Sequence, residues 1–304
     1  MLYRKIIINS TNGFFKDFNS GEPERSKKYQ TNIILFIATL ISTTTMGSVM
    51  SDANPFASFS SFAKGLPYSL TILSILGFHE FGHYFAARLW NVKATLPYFI
   101  PFPLSAIGTL GAVIKLKSSI PNKKALIDIG AAGPISGFIV AVIATIIGLN
   151  MSEIVTAQAS DSVLSFPLGE SLLFKFLGYI IIGKIPENAY IMLHPIAFAG
   201  WLGLFVTALN LIPFGQLDGG HIMFALSPRI HDLLRRIRIP LLLIMGLTFW
   251  IGWYMWALIL LFLGSRHPYP DNIYSEIGTL RKIIAFIAII IFIICMIPAP
   301  VLFQ

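Results

Sequence analysis

Six apolar stretches, at 32–50, 66–90, 125–149, 191–212, 240–263 and 283–301, recur along this sequence, and each is close to the roughly 20 residues a helix needs to cross hydrocarbon. With 55% hydrophobic residues, 12% charged residues and a mean hydropathy of +0.75, the chain falls outside the soluble globular range. The expected fold is an all-α polytopic membrane protein of about six transmembrane helices. The lipid bilayer is then its solvent.

The charged remainder bears on orientation. Residues 1–30 carry six Lys and Arg and no apolar run ending in a cleavage site, so they read as a cytoplasmic tail ahead of a membrane domain at 31–304. With that tail inside, sixteen Lys and Arg fall on its side and six, including Arg281 and Lys282, on the other. The excess predicts a multi-pass integral protein of a cell (inner) membrane with both termini cytoplasmic. The net charge of +8 is spread between spans, which argues against nucleic acid as a partner. The single cysteine, Cys295, lies in an apolar run and excludes a disulfide framework and a thiolate metal site. Oligomeric state is not legible.

Some segments depart from plain spans. Pro97, Pro101 and Pro103 rule out a helix interior, and 108–117 alternates and is rich in β-branched residues, so a membrane-associated hairpin or extended loop is expected over 96–117. Such backbone survives at membrane depth only when shielded or lining a wet cavity. Its edge, with Gly108, Gly111 and Val113, is the candidate place for an unwound substrate strand to pair; a plain interfacial loop is the alternative. In the third span Gly130, Gly133 and Gly137 are among small residues that let helices approach closely. Asp128, near its start, suits a helix-end partner better than a ligand. Ser42, Thr43, Thr44 and Thr45 of the first span can hydrogen-bond their own backbone. Acidic residues outnumber basic ones in 150–190, and 172–183 is apolar but too short to span, so it is expected to be re-entrant or interfacial.

His79, Glu80 and His83 interrupt the second span. On a helix the two histidines lie one turn apart on one face with Glu80 beside them, the H-E-x-x-H pattern. Neutral imidazoles suit zinc, which lowers the pKa of a bound water from about 15.7 towards about 7, and a carboxylate can take its proton. Glu80 would be that base. Ionisable groups within a span are costly, which favours function over a polar stripe facing other helices. A catalytic zinc needs a third protein ligand. Only Asp128 and Asp218 join Glu80 as acids near a span on the cytoplasmic side, and Asp218 lies where Pro213 and glycines break the helix after the fourth span. Asp218 is preferred, with His221 as its competitor; His194 sits at the outer end of a span, and His231 and His267 are expected in loops. A metal transporter would show internal repeats or ligands scattered over several spans, and the sequence has neither.

His79-Glu80-Phe81-Gly82-His83, the Gly133-Pro134 helix and Asn210…Leu217-Asp218-Gly219 together resemble the site-2 protease family of intramembrane zinc metalloproteases, over about 66–221. The resemblance implies one zinc per monomer held by His79, His83 and Asp218, with Glu80 as base and acid and Asn210 stabilising the oxyanion. It also implies a transmembrane protein as substrate and regulated intramembrane proteolysis. Gln216 and Leu217 stand where the family often has Asn-Pro, and the sequence has the look of a short form without PDZ or CBS domains. A CaaX-processing type of membrane protease takes its third ligand from a downstream Glu. The only Glu beyond Asp218 is Glu276, in a loop expected on the opposite side.

Overall fold

The computed structural model describes residues 24–156, 167–186, 188–262 and 270–301; most of the expected tail, and His267 with its neighbours, lie outside these. Helix α1 (Glu24–Met50) is followed by the short α2 (Phe59–Ala63), whose N-cap Ser58 accepts from the Ser61 N–H at 3.1 Å, and then by α3 (Leu66–Leu89). Strands β1 (Tyr98–Phe102) and β2 (Gly108–Val113) pair antiparallel, Tyr98 opposite Val113, with a bulge between Phe99 and Pro101. Asn122 caps α4 (Lys123–Asn150), its side chain accepting from the Ala125 N–H at 2.9 Å. Next come β3 (Glu153–Thr156), α5 (Leu172–Ile181) and β4 (Ala189–Met192), then α6 (Pro195–Asn210) and α7 (Asp218–Leu226). The remaining helices are α8 (Pro228–Thr248), α9 (Gly252–Phe262) and α10 (Thr279–Cys295).

The fold is therefore mostly helical with two small antiparallel sheets, not all-α. The hairpin expected at 96–117 is one of them. The β3–β4 pair leaves no signature in the sequence, because two four-residue strands without a buried residue carry no readable alternation. Helices α3, α4 and α6 form the centre, with Tyr68, Ile72 and Ile75 of α3 buried together with Ala141 of α4 and Leu204 and Ala208 of α6. The α4–α6 approach is close enough that a Cβ at Gly200 would sit 2.5 Å from the Thr145 Oγ1. Among the described residues, Tyr29–Met50 and Lys123–Asn150 are long and apolar enough to cross a membrane.

The stretch expected as a fifth span, 240–263, is not one helix. The basic segment before it is already helical: Ser227 caps α8, and Asp232 pairs with Arg235 at 2.7 Å and Arg236 at 2.8 Å. Helix α8 ends at Thr248, the chain turns, and α9 packs back against it, the ring of Tyr254 lying where Gly246 has no side chain. Trp253 at this turn donates to the Pro298 carbonyl at 2.7 Å, so the turn sits beside the end of α10.

This reversal corrects the topology. The start of α10 lies at the end of the bundle that carries 119–128: Asp271 donates its N–H to the Ile120 carbonyl at 2.9 Å, and Arg281 pairs with Asp128 at 3.0 Å. Its far end lies with the opposite loops, where the Gly169 N–H donates to Pro300 at 3.0 Å and Val301 bridges to Leu168. Asn32 near the start of α1 donates to Pro97 at 2.8 Å, close to the Ala94–Leu116 bridge and so at the first end. The beginning of α1 and residue 301 are thus at opposite ends, not the same one as expected. One extra reversal exchanges the ends of the bundle at which α10 starts and finishes. Arg281 and Lys282 then join the basic side, which widens the charge asymmetry instead of opposing it.

Candidate metal centre

The motif helix α3 runs from its N-cap Gly65 to its C-cap Trp90, and His79, Glu80 and His83 are all buried on its inner face. Asp218 comes from the first turn of α7, after the break at 211–217. Gly219 and Gly220 press there on the carbonyls of Leu211, Phe214 and Gly215, where any Cβ would collide. His231, expected in a loop, is buried in α8, and its Nε2–H donates to the Gly215 carbonyl at 3.3 Å, tying α8 to that break.

The Nε2 atoms of His79 and His83 are 3.1 Å apart, and the Asp218 Oδ2 is 3.3 Å from each. Zinc bonds of about 2.0–2.2 Å at the tetrahedral angle place neighbouring donors about 3.3–3.6 Å apart, so these three atoms are close to one face of a zinc tetrahedron. The His83 Nδ1–H donates to the Ile129 carbonyl at 2.7 Å, which leaves its Nε2 lone pair facing the other two donors. Lone pairs so close repel one another unless a cation lies between them. A second hydrogen bond of this kind is how metal-binding imidazoles are usually fixed. Helix α4 forms the wall: a Cβ at Gly133 would collide with the His83 ring at its Nε2, at Gly137 it would lie 3.1 Å from the His79 Cβ, and at Gly130 3.2 Å from the His221 Cβ. The small residues read as helix-packing positions therefore each make room for an imidazole.

A cavity of about 280 Å³ opens on this triangle, lined among others by Glu80, Val113, Asn210 and His221. Ile114, just past β2, lines the cavity together with Glu80. The Asn210 Nδ2 is 3.3 Å from the His79 Nε2, beside the metal position. Among the described residues His221 lines the cavity but is not in the donor group, and exposed Glu276 is not in it either, although it lies at the same end as the motif. Of the three hairpin candidates, Val113 reaches the cavity. Gly108 is instead pressed against α1, and Gly111, at φ +102°, has nothing within 4 Å of where its Cβ would be. Asp128 accepts from Trp90 at 3.0 Å and pairs with Arg281, a structural partner as expected. The Ile129 carbonyl and the glycine wall escape sequence reasoning; only the 130/133/137 spacing, one face of a helix, signals that wall.

An H-E-x-x-H helix joined by a carboxylate from a broken helix, inside a helical bundle, is the donor set of a zinc metallopeptidase. The model of peptidase family M50 matches residues 67–251, more than half of the chain, and the chain belongs to that family, the site-2 proteases. It is similar to "Probable zinc metalloprotease EGY1, chloroplastic" of Arabidopsis thaliana, 32% identical over 77% of this chain and 43% of the relative. It also matches "Probable zinc metalloprotease EGY2, chloroplastic" of Oryza sativa subsp. japonica, 32% identical over 70% of this chain and 40% of the relative. "Probable zinc metallopeptidase EGY3, chloroplastic" of Arabidopsis thaliana is 30% identical over 72% of this chain and 40% of the relative. The chain spans less than half the length of these curated relatives. No solved structure matches.

Proposed function

We propose that this protein is an intramembrane zinc endopeptidase that hydrolyses a peptide bond in or near a transmembrane segment of a membrane-protein substrate, as a step of regulated intramembrane proteolysis. The observation that carries this reading is the triangle of His79, His83 and Asp218 donors in one cavity with Glu80 and the β2 edge. When bound, zinc supplies Lewis-acid polarisation and a water of lowered pKa. Glu80 takes the proton of the attacking water and returns it to the leaving amine. Asn210 donates its amide hydrogen bond to the oxygen that becomes negative. The Ile129 carbonyl holds His83 in the tautomer that presents Nε2 inward. A helical substrate must unwind to expose its peptide bond, and its extended stretch pairs along β2 beside Val113.

The catalytic unit is the membrane domain at 31–304, with its core at 66–221, behind a cytoplasmic tail at 1–30. The charge excess puts the start of α1, the hairpin entry and the start of α10 on the cytoplasmic side of a cell membrane, with residue 301 across it. The test is zinc per monomer in detergent-purified protein, followed by cleavage of single-span polypeptides with Glu80→Gln as control. About one zinc, with cleavage that Glu80→Gln abolishes, is the expected result. Absence of zinc, or cleavage by Glu80→Gln, overturns the reading.

A further inference from the structure

Three buried polar side chains away from the metal have no part in the chemistry above: Asn32 and Ser42 of α1, and Tyr68 of α3. Each donates to a backbone carbonyl of the hairpin segment. The Asn32 Nδ2 donates to Pro97 at 2.8 Å and Leu96 at 3.2 Å, the Ser42 Oγ to Gly108 at 2.6 Å, and the Tyr68 hydroxyl to Ile107 at 2.8 Å. One anchor thus sits at the entry to β1 and two at the entry to β2. Gly108 fits the second seat at φ +81°, where a Cβ would lie 2.8 Å from the Thr43 Cα. Phe36 meets Phe99 edge-on with centroids 5.1 Å apart, and the Thr43 and Ser69 hydroxyls, 2.6 Å apart, lock α1 to α3.

The physical need for such anchors is plain. A two-stranded hairpin is marginal alone, and at membrane depth a carbonyl left out of the strand ladder has no water to turn to. At the exit of β2, Ile114 lines the metal cavity together with Glu80. Its edge therefore runs from 107–108, seated on α1 and α3, to 114 beside the catalytic carboxylate.

We propose that Asn32, Ser42 and Tyr68 are positioning residues that set the register of the β2 edge against the metal centre, and so select which substrate peptide bond is cut. This rests on the reading of β2 as the strand on which substrate docks. A paired strand has a side-chain period of two, so a substrate that slips on a loosened edge re-seats about two residues away. Merely weakening the fold lowers the amount of active enzyme without moving the cut.

The experiment uses the full chain with zinc in lipid vesicles. The probe is a single-span polypeptide chosen because the wild type cuts it and Glu80→Gln does not, and the cut is located by mass spectrometry. Ser42→Ala and Tyr68→Phe each delete one oxygen, and Asn32→Ala removes the β1 anchor. The expected result is zinc content equal to wild type and a cut that spreads to bonds about two residues away. An unmoved cut in all three variants, while Val113→Pro abolishes cleavage, overturns the anchoring role and leaves the docking strand standing. Cleavage that survives Val113→Pro removes the docking reading and the inference with it.

Discussion

Arg281 at the start of α10 grips Asp128 of α4 at 3.0 Å, and the indole N–H of Trp90, just past α3, donates to the same carboxylate at 3.0 Å. The guanidinium also lies over the Trp90 ring, 5.9 Å from its centroid. Three helix ends meet at one carboxylate, next to the residue whose carbonyl orients His83.

This contact makes topology measurable. In vesicles of one orientation, a membrane-impermeant maleimide is expected to label Lys117→Cys and Lys282→Cys from the same face and Lys184→Cys from the other, Cys295 being buried and silent. Labelling of Lys282→Cys together with Lys184→Cys would restore a six-span arrangement.

Removing Arg281 leaves Asp128 largely out of water with only an indole partner. Hydrogen bonds to charged groups contribute about 1.5–3 kcal/mol each, so Arg281→Ala is expected to destabilise the protein by about that much, read as a lowered thermal midpoint. Arg281→Lys should recover little, because a point-like ammonium does not reproduce the fork across both oxygens. Full recovery with Lys would show that charge alone matters there.

The donor triangle predicts which substitutions release zinc. His83→Ala and Asp218→Ala are expected to lose the metal. Gly133→Ala, which changes no ligand, should weaken zinc retention about 10–100-fold, the range seen when the support of a ligand is disturbed. Zinc content after dialysis against a graded chelator reads all three. Wild-type retention in Gly133→Ala would mean that the imidazole can move aside freely.

Glu80→Gln and Asn210→Ala separate chemistry from binding. Both are expected to keep zinc; the first should abolish hydrolysis and the second slow it about 10²–10³-fold, as for loss of one oxyanion donor. Single-turnover cleavage measures the difference. An Asn210→Ala enzyme with an unchanged rate would remove the amide from the mechanism.

The metal motif was legible because its geometry is local: His79 and His83 are four residues apart, and any helix brings them together. Asp218 was reached by elimination, since an acid at a proline-glycine break inside an apolar chain has few other reasons to be there. The hairpin showed itself through Pro97, Pro101 and Pro103 and the alternation after them. The hydroxyls of the first span follow the local expectation only in part. Thr43 and Thr45 do bond their own helix, to Thr39 and Ile41, but Ser42 reaches across to Gly108.

From the sequence alone come the apolar solvent, the helical majority, the imidazole pair with its carboxylate, and the family resemblance, all of which rest on composition and short-range periodicity. Only the tertiary structure decided that Gly130, Gly133 and Gly137 house imidazoles and that Asn32, Ser42 and Tyr68 hold the hairpin. It also decided that the chain reverses after Thr248 and brings Arg281 to Asp128. Each of these is a contact between residues far apart in the chain, and no local pattern of hydrophobicity records which distant backbone a small or polar side chain will meet.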